Sequence, residues 1–263
     1  MLEVLKSRRR SLLTLFEFME EKSPIFILKW LQKFIARPTK SFSTYGEDVV
    51  LKGILDRYTF RSGISINFSY IDIGGWRPIS GSNTYLFYRA GKRGTIVEPN
   101  SHFKKSWKAC RPEDRFLRAA CSNSSIAYLN YFHKSAASNT LSDEFASMIV
   151  KSSGFNVTKT FAVPTLSLNK IVEKHLEFFA GPFILDIDIE GLDFEVIQDF
   201  DFSGPKRPLI ILVEDGINNG ERISQSNISK HLISCGYGLA CRVVMTSIFI
   251  DSSSDLAHQV DLV

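Results

Sequence analysis

Hydrophobic positions along this chain switch repeatedly between a helical period and short unbroken runs, the pattern of helices alternating with buried strands. Tyr70 to Ile73 reads as a short apolar strand that carries Asp72 near its end and is broken by Gly74-Gly75. A turn-rich segment leads to a helix over Asn83 to Ala90, stopped by Gly91, and Thr95 to Val97 forms a second strand ending in Glu98. Asn100 caps a helix over Ser101 to Cys110 whose inner face carries Phe103 and Trp107. Phe116 to Ala120 reads as a third strand. Ala127 to Phe132 and Phe161 to Pro164 read as two more, separated by a polar insert over Lys134 to Val157 with a short helix near Asp143 to Val150. A helix over Leu166 to Leu176 precedes the stretch F-I-L-D-I-D-I-E-G, in which Phe183, Leu185, Ile187 and Ile189 share one strand face and Asp186, Asp188 and Glu190 the other.

Gly191 then turns the chain into a helix over Leu192 to Phe200. Leu209 to Val213 is an unbroken apolar run, typical of a parallel sheet covered on both faces, and it ends in Glu214-Asp215. A helix over Asn227 to Cys235 closes at Gly236, and Leu239 to Val244 with Ser247 to Ile250 form a terminal antiparallel pair; the tail from Asp251 carries no strong signal. Upstream, Ser43 or Thr44 caps a helix that opens with Glu47 and Asp48 and buries Leu51, Ile54 and Leu55. Residues 1–40 read as a separate helical extension to a domain over 41–263. Leu12, Leu13, Leu15, Phe16 and Met19 recur at helical spacing, and Phe26, Ile27, Trp30, Leu31, Phe34 and Ile35 form a second apolar face between Pro24 and Pro38. Such helices pack on the domain or on a second copy of the chain. Alternatively, Lys6, Arg8, Arg9, Arg10, Lys29 and Lys33 of residues 1–38 bring them to a membrane surface.

Composition narrows the classes. The 263 residues are 44% hydrophobic, ample for an α/β core, and the net charge of +4 is mild. Without a long basic stripe interleaved with aromatic residues, nucleic acid is not an expected partner. Cys110, Cys121, Cys235 and Cys241 form no C-x-x-C and suit free thiols in a reducing compartment, so the expected location is the cytoplasm. Glu17, Glu20 and Glu21 interrupt the only run that begins like a signal peptide. G-x-S-x-G and G-x-x-x-x-G-K-[ST] are both missing, which argues against nucleophile-elbow hydrolases and P-loop enzymes.

The candidate chemistry lies at strand ends. Asp72, Glu98, Asp188 and Glu214 each fall at the C-terminal end of a strand, where open parallel sheets place their ligand crevice. Gly74-Gly75 and an acid after the second strand suit an adenosine-type ligand, since the acid can accept hydrogen bonds from both ribose hydroxyls. The glycines do not follow G-x-G-x-x-G, so S-adenosylmethionine (SAM) fits better than a dinucleotide. The loop after the third strand, Cys121 to Asn123, is expected to pass the adenine. Among the five histidines, His133 is retained as a candidate base, and His175 and His231 are expected to be fillers within helices.

Several stretches together resemble the FkbM family of SAM-dependent methyltransferases: S-T-Y-G-E-D-V-V-L at 43–51, Y-I-D-I-G-G-W-R-P-I-S-G-S-N-T-Y-L-F-Y at 70–88, G-T-I-V-E-P-N at 94–100, V-P-T-L-S-L-N-K-I at 163–171 and I-D-I-E-G-L-D-F-E-V-I at 187–197. L-I-I-L-V-E at 209–214 and G-Y-G-L at 236–239 also fit. The resemblance implies a Rossmann-like class I methyltransferase fold, a seven-stranded, mostly parallel sheet with helices on both faces. It implies O-methylation of a sugar, glycan or natural-product hydroxyl, on a small-molecule or glycan acceptor. Cofactor contacts are then expected from Asp72, Gly74, Gly75, Asn83, Glu98, Pro99 and Ser122. Catalytic roles are expected from Asp188, Glu190 and Glu214, with Asp188 and Glu214 the ligands if Mg2+ is used. Trp76-Arg77 and Asp186 depart from the family pattern. A non-catalytic interaction protein of the same fold and an NAD-binding oxidoreductase are the alternatives.

Overall fold

The computed structural model describes residues 39–215 and 225–260. The extension expected over residues 1–40 lies almost wholly outside the described residues. Helix α1 (Glu47–Ser62) is followed by β1 (Ser69–Ile73), α2 (Tyr85–Arg89), β2 (Gly94–Val97), α3 (Lys104–Cys110) and β3 (Arg115–Leu117). Short strands β4 (Ala120–Cys121) and β7 (Thr165–Leu166) bracket β5 (Ala127–Tyr131), α4 (Asp143–Ser153) and β6 (Lys159–Val163). The remainder is α5 (Leu168–Leu176), β8 (Phe183–Ile187), α6 (Asp193–Gln198), β9 (Ile210–Glu214), α7 (Asn227–Ser234), β10 (Tyr237–Val243), β11 (Thr246–Asp251) and α8 (Asp255–Gln259).

Seven strands form one sheet in the order β10-β11-β9-β8-β1-β2-β3. The five from β9 to β3 are parallel, and β11 and β10 close the far edge antiparallel. Both faces are apolar because both are covered. Ile71, Ile73, Leu185, Ile187, Ile211 and Val213 pack against Ile171 and Val172 of α5, Ile197 of α6 and Leu232 of α7. On the other face Tyr70, Ile96, Ile184, Ile210 and Leu212 meet Leu51 and Leu55 of α1, Phe87 of α2, Trp107 of α3 and Leu256 of α8. The mixed α/β architecture with its large, mostly parallel sheet is compatible with the expected methyltransferase fold. Among the described residues no helix is long and apolar enough to cross a membrane.

Several local expectations change. The third strand stops at Leu117 because the Ala119 N–H turns back onto the Leu117 carbonyl, and Ala120–Cys121 leaves the sheet to pair with β7. Strand β8 stops at Ile187, so the acid alternation ends there; Glu190 and Gly191 both adopt left-handed backbone, φ 58° and 105°. Helix α1 is preceded by Gly46 at φ 95° rather than by a side-chain cap, and the Ser43 hydroxyl instead accepts the Gly46 N–H. The tail holds a helix after all, α8, whose Ser254 cap accepts from the Ala257 N–H.

His175 fills the core, as a helix filler was expected to, and it also ties two strands together. It is fully buried, with Nε2 2.8 Å from the Ser69 hydroxyl on β1 and Nδ1 3.0 Å from that of Thr95 on β2. Burial, and then the charge of Arg115, pushes its pKa down to about 4, so the ring is neutral at neutral pH.

Candidate active site

A cleft opens at the C-terminal ends of β1, β2 and β8, where a parallel sheet places its ligand crevice. It encloses about 550 Å³ of empty space, part of it open to solvent. Of the residues expected from the sequence, Gly74, Glu98, Pro99, Asp188 and Glu190 line it. Its apolar walls include Ile73, Val97, Phe103, Cys121 and Leu129. Asp72, Gly75, Asn83, Ser122 and Glu214 are not part of its lining.

Glu98 is held by the backbone. Its Oε2 accepts the Trp76 N–H at 2.9 Å and its Oε1 the Asn100 N–H at 2.6 Å. A carboxylate offers about four acceptor sites, so each oxygen keeps one for a ligand in the cleft. Burial raises the Glu98 pKa to about 7 against the pull of those two N–H groups. The Trp76 loop is shaped around this contact. Trp76 has φ 40°, its carbonyl accepts the Trp107 indole N–H at 3.0 Å, and its own indole donates to the Ser135 carbonyl at 3.2 Å. The indole also packs where Gly81 has no side chain, since a Cβ there would lie 2.7 Å from the ring.

The two motif glycines are required by the protein's own packing. A Cβ on Gly74, at φ 89°, would lie 1.7 Å from the Asp188 carbonyl oxygen, and one on Gly75 would lie 2.5 Å from the Ile96 side chain. They let the turn after β1 approach β8 on one side and β2 on the other.

Asp72 faces away from the cleft, into a buried polar network. It sits in register beside Asp186 of β8; Asn83 donates to Asp186 at 3.1 Å and the Thr84 hydroxyl to Asp72 at 2.5 Å. Arg111, 1% exposed, anchors the group. Its guanidinium donates to the hydroxyls of Tyr70, Ser82 and Thr84 and forms a buried ion pair with Asp114 at 2.6 Å. Burial raises the pKa of Asp72 and of Asp186; Arg111 opposes this at Asp72, whereas the charge of Asp72 adds to it at Asp186. Sequence reasoning missed Arg111, because an Arg after a helix reads as a surface residue until the fold buries it.

At the opposite end of the cleft Asp188 and Glu190 line the wall, and Glu214, outside the lining, interacts with both. Asp188 and Glu214 share a hydrogen bond. The Asp188 side chain is exposed and lines the cleft, which is itself partly open to solvent. Desolvation there, and then the charge of Glu214, raises its pKa to about 8. Glu190 rises to about 7 through burial and the Asp188 charge, and Glu214 to about 7 through burial and the charges of Glu190 and Asp193. Asp193, not anticipated from the sequence, holds the turn. Its carboxylate accepts the Ile189 and Gly191 N–H groups at 3.1 and 3.2 Å and so fixes the left-handed backbone of Glu190 between them. Among the described residues no group of three or more His, Cys, Asp or Glu side chains is placed to hold a metal ion. Asp188 and Glu214 supply two carboxylates and no third ligand.

The insert forms a roof over the cleft. Ala136, Ala137, Asn139 and Leu141 line it from above. On one bank the carbonyls of Lys134 and Ser135 accept from the Asn100 amide and the Trp76 indole. On the other the Thr140 hydroxyl donates to the Glu190 carbonyl at 2.7 Å, and the Phe145 ring occupies the space beside Gly191. His133 is exposed and outside the cleft lining; its Nδ1 accepts the Ser135 N–H. No curated protein and no solved structure matches the chain. The model of the FkbM methyltransferase domain matches residues 72–239, which span β1 to β10 and every wall of the cleft, and the chain therefore belongs to the FkbM methyltransferase family.

Proposed function

We propose that the protein is a SAM-dependent O-methyltransferase acting on a hydroxyl of a sugar, glycan or natural product. The observation that carries the reading is the polarity of the cleft. One end presents a carboxylate already oriented by two backbone N–H groups, and the other presents Asp188 and Glu190, carboxyls whose pKa values are raised. Glu98 would hold the ribose hydroxyls of SAM, and the apolar walls near Cys121 and Phe103 would suit its adenine. When bound, SAM supplies a methyl group already activated for transfer.

The chain's own residues then have two tasks. The roof and the Gly74 turn hold the acceptor oxygen in line and exclude water, and such positioning is worth several kcal/mol of a barrier. Asp188 takes the acceptor's proton and Glu214 stabilises it there. A base with a pKa near the working pH is efficient because it is both available and driven to accept. The Asp188–Glu214 pair can also serve Mg2+, which binds through one or two carboxylates and otherwise keeps its waters.

Calorimetry with SAM, S-adenosylhomocysteine and NAD side by side tests the cofactor. Binding of the first two and not of NAD is expected; NAD binding alone would favour an oxidoreductase, and binding of none a non-catalytic relative. EDTA-insensitive turnover would assign the proton to the carboxylate pair, and loss of turnover restored by Mg2+ would assign it to the metal.

A further inference from the structure

A second surface lies beside the cleft mouth. Helix α3 buries Trp107 against the sheet, beside Phe103 at its entrance, and turns Lys104, Lys105 and Lys108 outward, with Lys104 and Lys108 one turn apart on the same side. No acidic residue occurs between Pro99 and Pro112. None of the three lysines makes an ion pair among the described residues.

Two further cations adjoin this helix. The Lys134 carbonyl is 3.2 Å from the Asn100 amide at the helix entrance, and the Lys134 side chain is exposed. The Arg77 guanidinium lies 4.2 Å above the ring of Trp76, whose carbonyl is bonded to Trp107 of α3. Exposed apolar side chains flank them. Ile79 follows Arg77 and is 36% exposed; Phe155, 57% exposed, stacks edge-on to His133, the neighbour of Lys134. Asn100 and Trp76 both line the cleft, so this rim borders its mouth.

We propose that this rim is a docking surface for an anionic membrane, which presents the cleft mouth to the lipid headgroups. The three lysines are exposed on the helix surface, outside the cleft lining. That placement suits an extended anionic surface and not a single small phosphate, which needs a concave site. Unpaired cations flanked by exposed Ile79 and Phe155 combine electrostatic attraction with shallow apolar insertion, as interfacial contacts with acidic bilayers do. A nucleic acid would satisfy the charge and leave the two apolar side chains without a role. The inference does not depend on the cofactor or the reaction, because a chain without SAM binding would keep the same surface.

Co-sedimentation of the full chain with phosphatidylcholine vesicles, with and without phosphatidylglycerol, tests it. Each basic side chain at an acidic surface contributes on the order of fivefold in partitioning, so K104Q/K105Q/K108Q should bind acidic vesicles roughly 100-fold less than the unaltered chain. I79S/F155S should weaken the part of the binding that survives high salt. Because these side chains are at the surface, melting temperatures matched to the unaltered chain establish that the variants fold. Unchanged binding by the triple-lysine variant would overturn the proposal and move any attachment to residues 1–38. Equal binding to neutral vesicles would overturn it too, as would binding of a DNA duplex by a chain that leaves acidic vesicles unbound.

Discussion

Replacing Glu98 by Gln tests the cofactor end of the cleft through a pH dependence as well as through activity. Glu98 is 7% exposed, and burial raises its pKa from 4.5 to about 7. A carboxyl whose folded pKa exceeds its unfolded one stabilises the fold fully below the unfolded value. That contribution is lost as pH rises through the folded value. Between about pH 4.5 and 7 the ionisation of Glu98 therefore costs the folded protein roughly 3 kcal/mol. Gln does not ionise and escapes this cost. It has one carbonyl oxygen, so either the Trp76 or the Asn100 N–H loses its acceptor, at about 1–3 kcal/mol. The two effects offset one another near pH 8, and the variant is the less stable one at pH 5. Differential scanning fluorimetry of both proteins from pH 5 to 8 reads the difference. At about 2–4 °C per kcal/mol, their melting temperatures should converge by roughly 6–12 °C across that range. Parallel curves would show that Glu98 does not titrate in this window and would refute the reasoning. In the same series, SAM affinity of the unaltered protein should rise with pH through 7, whereas Glu98→Gln should bind roughly 10- to 100-fold more weakly with a flat profile, by calorimetry.

Asp188→Asn should lower kcat by about 10²- to 10⁴-fold with SAM affinity nearly unchanged; normal kcat would remove both the base and the metal role from Asp188. Gly74→Ala should cost at least about 3 kcal/mol in urea unfolding, because its Cβ would meet the Asp188 carbonyl and its backbone is left-handed. Arg111→Lys should cost roughly 3–5 kcal/mol, since an ammonium cannot reach Tyr70, Thr84 and Asp114 together and leaves buried partners unpaired; a loss under 1 kcal/mol would show that the network rearranges.

The sheet was legible because each core strand is a continuous apolar run bounded by glycine or an acid, and such runs have few other uses. That Glu98 and Asp188 would face a crevice was legible for the same reason: a strand end fixes where its last polar side chain emerges. What local pattern does not encode is which face a polar residue takes once two elements meet. Asp72 reads as a ligand contact by its place in the motif, yet strand alternation turns it with Tyr70 toward α2 and α3, where Thr84 and Arg111 receive it. Arg111 and His175 look ordinary in sequence, because their partners are contributed from more distant parts of the chain. The end of β8 was misplaced because hydrophobic alternation continues through Ile189 while the backbone, drawn by Asp193, does not.

The insert that roofs the cleft leaves and re-enters the main body at one spot. Strands β4 and β7, on either side of it, lie paired with Ala120 opposite Thr165. Between them the segment carries small apolar clusters of its own, around Leu129 and Val163 and around Phe132 and Ala146. A segment whose ends are already clamped together can change in length at little entropic cost, about 0.6 kcal/mol for each doubling. Under the proposed function the roof is therefore a cassette for acceptor choice. A roof of different length or lining can be spliced between Cys121 and Thr165 while the sheet, Glu98 and the Asp188–Glu214 pair stay as they are. Selectivity can diverge here without renegotiating the chemistry beneath it.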